Sequence, residues 1–159
     1  MNKKIVIIIG AVLFIFMLWF GASSINKLIE REMNEKVQGS LNVILNSLGV
    51  GQMEIKPTVL FFFNSECEHC QWEVKQTQEN IGLFKGYQLL FVSFEPRTEA
   101  IDFLRKHNLS QYYLEAAPDK VMSTFKGGVP QTFIYKNDNL VKHFKGEVKI
   151  EAILNALQN

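Results

Sequence analysis

Apolar and polar residues follow three different patterns along this chain, and the first is an unbroken apolar run at residues 5–22. A helix rises about 1.5 Å per residue, so this run would extend about 27 Å, close to the roughly 30 Å thickness of the hydrocarbon core of a bilayer. Lys3 and Lys4 precede the run. We therefore predict that residues 1–22 form a transmembrane signal anchor.

The flanks of this run bear on its processing and orientation. A cut after Ala22 would place the bulky Phe20 where a signal peptide needs a small residue, so we expect an uncleaved anchor, with a cleaved signal peptide as the alternative. Basic residues lie on both sides of the run, so their count does not decide the orientation. A basic start ahead of the apolar run favours an inside N-terminus. We expect a single-pass protein of the cell (inner) membrane, with its domain on the extracytoplasmic, periplasmic side.

The second pattern, at residues 23–54, is mostly polar, with apolar residues at helical spacing at Ile25, Leu28, Ile29 and Met33. Such a segment suits a juxtamembrane helix that lifts a domain away from the bilayer. We predict a stalk over residues 23–54 and a folded domain over residues 55–159.

The third pattern begins near residue 55, where short apolar runs alternate with amphipathic segments. The predicted strands are residues 58–63, 87–94, 131–135 and 140–144, with a further short strand at 112–114. The predicted helices are residues 67–84, 96–107, 119–125 and 148–157. The first strand, TVLFFF, is a continuous apolar run, as expected of a strand buried on both faces. The alternation predicts an α/β domain with a central mixed sheet flanked by helices.

Composition and charge narrow the possible functions. The chain has 159 residues, 47% of them hydrophobic, and a net charge of +1, which suits one membrane-tethered domain. A nearly neutral chain offers no electrostatic argument for a nucleic-acid partner, and we expect none. No Gly-rich phosphate loop is present. The two cysteines are therefore the candidate functional residues.

Both cysteines belong to Cys67-Glu68-His69-Cys70, which directly follows the first predicted strand and opens a predicted helix. Cysteines three residues apart on the first helical turn can open and close a disulfide with little backbone movement, and a helix N-terminus stabilises the reactive thiolate. This layout predicts a thiol–disulfide exchange site. Cys67 is the expected nucleophile because it is closer to the helix N-terminus, and Cys70 would resolve the mixed disulfide.

Two other interpretations of the cysteines stay open. An inert disulfide is possible, although so short a loop stabilises little through chain entropy. Cys67 and Cys70 could also supply half of a zinc site, with His69, His107 or His143 as further ligands. Structural zinc sites usually have four ligands in paired knuckles, and we expect no metal; His107 and His143 are expected at the surface.

Three signatures, FFFNSECEHC, GGVPQTFIYKNDNLVKHFKG and a closing amphipathic helix, occur in the order found in the thioredoxin-like superfamily. The chain resembles that superfamily over residues 56–157. Its segment SFEPRTEAIDFLRKHNLSQYY is similar to the extra helix and strand found in the TlpA/ResA type and in peroxiredoxins. Proteins of the TlpA/ResA type are membrane-anchored, extracytoplasmic disulfide reductases. The resemblance implies a thioredoxin-like fold and thiol–disulfide oxidoreductase activity.

The resemblance also implies roles for residues around the cysteines. Pro130 resembles the cis-proline that faces the active-site disulfide, and the backbone of Val129 would then pair with the substrate chain. His69 stands where protein disulfide isomerase carries histidine, and an imidazolium there makes the pair more oxidising. Glu68 stands where the TlpA/ResA type commonly carries glutamate, and negative charge disfavours a thiolate. The two intervening residues therefore point in opposite directions.

Two positions depart from related patterns. Thioredoxin has a buried aspartate six residues before its first cysteine, where this chain has Phe61, so its proton-transfer role is vacant or falls to Glu66, Glu73 or water. Peroxiredoxins carry threonine three residues before the attacking cysteine, where this chain has Asn64, which argues against a peroxidase.

These observations favour a membrane-anchored reductase of protein disulfides. No flavin or nicotinamide motif is present, so we expect no cofactor and a supply of electrons from a membrane dithiol donor. A disulfide oxidase or isomerase with the same residues is the nearest alternative. A redox-inert binding module with a thioredoxin fold and a peroxidase are the others.

Overall fold

A computed structural model of the chain describes residue 16, residues 38–51 and 53, and residues 56–158. The chain divides into two units, Met1–Lys36 and Val37–Asn159. Phe16, the one described residue of the first unit, is helical and exposed. The predicted anchor at residues 1–22 otherwise lies outside the described residues, as does the first part of the predicted stalk. Among the helices that are described, none is long and apolar enough to cross a membrane.

The second unit alternates strands and helices, close to the predicted bounds. Its helices are α1 (Leu41–Leu48), α2 (Glu68–Glu79), α3 (Arg97–Lys106), α4 (Pro118–Thr124) and α5 (Ile150–Gln158). Its strands are β1 (Thr58–Phe63), β2 (Gln88–Ser93), β3 (Gln131–Lys136) and β4 (Asn139–Lys145). Short 3₁₀ helices span Ile81–Phe84 and Ser110–Tyr112.

The four strands form one mixed sheet in the order β2-β1-β3-β4. β1 pairs in parallel with β2 and antiparallel with β3, and β3 pairs antiparallel with β4. The predicted central mixed sheet flanked by helices is confirmed. The short strand predicted at 112–114 is instead a 3₁₀ turn followed by a single bridge between Tyr113 and Phe91, so this segment adds no full strand to the sheet.

β1 is buried throughout because helices cover both of its faces. Val59, Phe61 and Phe63 face a core formed with α2, α3 and α5. Leu60 and Phe62 face a second core formed with α1 and α4. Successive side chains of a strand point to opposite faces, so a central strand covered on both sides has no solvent-facing position.

Helix α1 belongs to the second core, although the sequence analysis placed its residues in the stalk. Leu41, Ile44, Leu45 and Leu48 are all buried, at the i, i+3, i+4 and i+7 spacing of one helical face. Asp138, in the turn between β3 and β4, accepts hydrogen bonds from the Ser40 hydroxyl and the Asn42 backbone N–H, both at 2.7 Å. The folded unit therefore includes residues that the predicted boundary at residue 55 left out.

We expect the substitution Ile44→Ala to destabilise the domain by about 2–4 kcal/mol, because it removes a fully buried side chain from the core between α1 and the sheet. Denaturant unfolding of the chain from residue 38 onward measures this change. The neighbouring Val43 is 43% exposed, so Val43→Ala should alter the free energy of unfolding by about 0.5 kcal/mol or less. Equal effects of the two substitutions would show that α1 does not contribute to the core.

Candidate functional site

The two cysteines lie where β1 gives way to α2. Cys67 is the N-cap residue of α2, its backbone N–H donates to the Asn64 carbonyl at 3.3 Å, and its own carbonyl accepts from Gln71 at 2.9 Å. Cys67 is partly exposed, Cys70 is fully buried, and both are free thiols. The sulfur nearer the helix N-terminus is therefore also the one that another molecule can reach.

The loop before β3 faces Cys67. The Val129–Pro130 peptide bond is cis, and the Cys67 thiol donates to the Val129 carbonyl at an S–O distance of 3.8 Å. Pro130 is buried, whereas Val129 is partly exposed. The structure thus brings together Cys67, Val129 and Pro130, three of the residues that the sequence analysis selected.

A buried carboxyl group lies one helical turn beyond Cys70. Glu73 is 3% exposed, and its Oε1 accepts a hydrogen bond from the Thr132 hydroxyl on β3 at 2.7 Å. Burial raises the pKa of Glu73 to about 7; the negative charge of Glu147 acts in the same direction, and the hydrogen bond from Thr132 opposes them. A carboxyl group that titrates near neutral pH therefore stands next to the resolving thiol.

The same burial acts on Cys70. Burial raises the pKa of the Cys70 thiol. A hydrogen bond from Asn64 lowers this pKa, whereas the neighbouring Cys67 and the charge of Glu73 raise it further. Cys70 therefore needs a base before it can act as a thiolate.

Two residues, Glu66 and Glu73, were candidates for the role of the missing aspartate, and the structure allows them to be compared. Phe61 stacks on Phe91 with ring centroids 4.5 Å apart and adds only apolar surface. Glu66 is exposed to solvent, and its backbone N–H donates to the Asn64 side chain. Glu73 is the buried carboxyl on the same face of α2 as Cys70, three residues along the helix.

The His69 ring contacts a carboxylate that the sequence pattern did not predict. Its Nδ1 lies 2.8 Å from Oε2 of Glu147, in the loop between β4 and α5. The two side chains are 70% and 38% exposed, respectively. Glu68, on the first turn of α2, is exposed as well. The charge of any imidazolium at position 69 is thus partly balanced by a neighbouring carboxylate.

A second buried carboxylate, Glu95, holds the segment that leads into Cys67. It accepts hydrogen bonds from the backbone N–H of Ser65 at 2.8 Å, from the Ser65 hydroxyl at 2.5 Å and from the Ser93 hydroxyl at 2.7 Å. The sequence analysis missed this residue. The signal was its place just after β2, because parallel neighbours β1 and β2 end at the same edge of the sheet.

The other two histidines lie at the surface but are each partly buried there. His107 Nδ1 lies 2.8 Å from Gln78 Oε1, and His143 Nε2 lies 2.9 Å from Gln131 Oε1. Burial lowers the pKa of both imidazoles, that of His143 to about 4. Within the described part of the chain, no group of three or more potential ligands is placed to hold a metal ion.

The AhpC/TSA family model matches residues 33–144 of the chain. No curated protein sequence matches this chain. Among solved structures, the chain is similar to a thio-disulfide isomerase from Thermus thermophilus, at 27% identity and a TM-score of 0.55, over 65% of this chain and 78% of that one.

Two other solved structures are similar in fold. One is a secreted Mycobacterium tuberculosis disulfide oxidoreductase homologous to Escherichia coli DsbE, at 16% identity and a TM-score of 0.56, over 65% of this chain and 81% of that one. The other is StoA from Bacillus subtilis, at 19% identity and a TM-score of 0.55, over 65% of this chain and 84% of that one.

The buried Glu73 makes the stability of the domain depend on pH. The pKa of this carboxyl rises from 4.5 to about 7 on folding, so between these values the unfolded chain releases a proton that the folded chain keeps. Stability must then fall as pH rises through this window, by about 3 kcal/mol in total. We expect Glu73→Gln to remove this loss, so that the variant gains about 3 kcal/mol relative to the wild type between pH 4.5 and pH 7.

Denaturant unfolding across this pH range measures the difference. Glu79→Gln is the matched control, because Glu79 ends the same helix and its side chain is 50% exposed. Its pH profile should run parallel to that of the wild type. A Glu73→Gln profile that also stays parallel would contradict the raised pKa of Glu73.

Proposed function

The chain belongs to the AhpC/TSA family and is a thioredoxin-like thiol–disulfide oxidoreductase, and from this premise we propose that it reduces disulfide bonds in protein substrates. The observation that carries the proposal is the asymmetry of the cysteine pair. One thiol is reachable at a helix N-terminus, and the other is buried one turn behind it beside a carboxyl group.

The reaction begins with attack of the Cys67 thiolate on one sulfur of a substrate disulfide. A bond forms between Cys67 and that sulfur, the substrate disulfide breaks, and the other substrate sulfur leaves as a thiolate. Cys70 then gives up its proton and attacks the Cys67 sulfur. The Cys67–Cys70 disulfide forms, the second substrate sulfur leaves as a thiolate, and two electrons have passed from the protein to its substrate.

Glu73 is the proposed acceptor of the Cys70 proton. Its carboxyl group lies on the same helical face as Cys70, and both are shielded from water. General bases act best when their pKa lies near the working pH, and the pKa of about 7 at Glu73 meets that condition. In thioredoxin this role belongs to a buried aspartate six residues before the first cysteine. This chain has Phe61 at that position, and Glu73 takes the role instead.

The charges around the pair favour reduction over oxidation. An unpaired imidazolium at His69 would stabilise the reduced form of the pair and make it an oxidant. Here Glu147 lies 2.8 Å from that ring and offsets its charge, and Glu68 adds negative charge at the start of α2. We infer that Glu147, by offsetting the charge of His69, and Glu68 tune the pair toward reduction.

A disulfide isomerase or oxidase is the second candidate. The exposed position of His69 between the cysteines supports it, as does the similarity to the Thermus thermophilus thio-disulfide isomerase. The two candidates use the same residues and differ in the reduction potential of the Cys67–Cys70 pair.

We also propose that residues 1–22 anchor the protein in the cell membrane, with the domain on the extracytoplasmic side. The support is the apolar run at residues 5–22 and the basic residues before it. A domain in that place needs a source of electrons, and a membrane dithiol donor would regenerate the Cys67–Cys70 thiols after each turnover.

Single cysteine variants test the proposed order of attack. We expect Cys70→Ser to accumulate a mixed disulfide between Cys67 and a disulfide-containing protein such as insulin, because the resolving thiol is gone. Cys67→Ser should accumulate very little, since Cys70 is fully buried. Non-reducing electrophoresis and mass spectrometry of the adduct measure both, and the variant with both substitutions is the control.

Two results would count against the proposal. A stronger adduct with Cys67→Ser than with Cys70→Ser would reverse the roles of the cysteines. Absence of an adduct from both single variants would instead support the redox-inert binding module.

A further inference from the structure

A small cavity borders the loop that faces Cys67. It has a volume of about 240 Å³ and is lined by residues 126–131 and by Lys145 and Gly146. Val129, whose carbonyl accepts the hydrogen bond from the Cys67 thiol, is part of its wall. A substrate chain that presents its disulfide to Cys67 therefore passes beside this cavity.

The wall of the cavity is held by one buried side chain. Gln131 is 2% exposed, and its Nε2 donates to the carbonyls of Lys126 at 2.9 Å and Gly128 at 2.8 Å. Its Oε1 accepts from His143 Nε2 at 2.9 Å, and the His143 ring stacks on Phe133 with centroids 4.1 Å apart. The Gln131 side-chain amide thus uses both its donor and its acceptor groups, so the cavity exists before a substrate arrives.

The charged side chains that line the cavity are all positive. Of the described residues that line it, Lys126 and Lys145 are the charged ones, and both are exposed. Among the described residues, no carboxylate forms an ion pair with either ammonium group. Glu147 follows the cavity residue Gly146, but it is paired with His69. Two lysines without carboxylate partners on the wall of one cavity favour a carboxylate over a cation there.

We propose that this cavity is a substrate subsite that takes the side chain of an aspartate or glutamate close in sequence to the reacting cysteine of the substrate. A volume of about 240 Å³ equals that of roughly eight liquid waters, enough for one such side chain. The inference rests on the proposed function, because it requires a polypeptide docked at Val129. It adds a preference among substrates: a disulfide flanked by acidic residues is reduced faster.

Disulfide-linked peptides of matched sequence test this subsite. One residue beside the reacting cysteine is glutamate, glutamine or lysine, and that residue is moved one position at a time along both sides of the cysteine. In single-turnover reactions, the pre-reduced wild-type chain should reduce the best-placed glutamate peptide with a second-order rate constant about threefold to tenfold higher than that for its glutamine twin, mainly through tighter binding. The lysine peptide should be the slowest.

Variants assign the preference to the two lysines. Lys126→Gln and Lys145→Gln should each lower the glutamate-to-glutamine ratio, and the double variant should bring it close to one. Because the readout is a ratio within each variant, a variant with a lower overall rate remains informative. Lys85→Gln is the matched control: it removes the same charge before β2, at the opposite end of the sheet from Cys67, and should keep the wild-type ratio.

The outcomes separate this inference from the function on which it rests. Equal rates for the glutamate and glutamine peptides, or a ratio that survives in the double variant, would overturn the subsite alone. Wild-type reduction of the uncharged bis(2-hydroxyethyl) disulfide is measured in parallel. A wild-type chain that reduces neither that compound nor any peptide would overturn the proposed function and the subsite with it.

Discussion

The position of the redox site depends on the burial of β1 between two layers of helices. Because β1 is covered on both faces and paired on both edges, it has no freedom to shift, and the segment that follows it is held in place. Its parallel neighbour β2 ends at the same edge of the sheet, and its antiparallel neighbour β3 begins there. Cys67 after β1, Glu95 after β2 and Pro130 before β3 meet at this edge as a consequence of strand direction alone.

Two buried carboxyl groups have different roles at this edge of the sheet. Glu95 accepts three hydrogen bonds from the two serines Ser65 and Ser93, which fixes the approach to Cys67. Glu73 accepts one, from Thr132, and its pKa is raised to about 7. Glu95, with several donors, serves as a structural anchor, whereas the raised pKa of Glu73 lets that carboxyl group exchange a proton. The place of Glu73 one turn beyond Cys70, together with the burial that raises its pKa, suits it to the chemistry of that thiol.

Much of the domain could be predicted because its patterns are local. The apolar run of β1, the cysteines at the start of α2 and the Gly-Val-Pro turn each carry their signal within a few residues. What the sequence analysis missed depends on contacts between distant segments. α1 has the spacing of a buried helix, but only the sheet surface that it meets makes it part of the domain. The Glu147 carboxylate reaches His69 across 78 positions of the chain, and Gln131 organises its loop through a histidine on the next strand. Contacts between residues so far apart in the chain produce no periodic pattern in a single sequence, so the sequence alone does not predict them.

The reduction potential of the Cys67–Cys70 pair tests most directly whether the pair gives electrons to protein substrates. The potential would be measured by equilibrating the chain from residue 38 onward with a series of dithiothreitol or glutathione buffers and scoring the fraction of free thiols. A value near that of thioredoxin, about −270 mV, is the expected result. A value of about −120 to −180 mV would contradict this role and identify a donor of disulfides, and the absence of a reversible two-electron transition would contradict redox activity altogether.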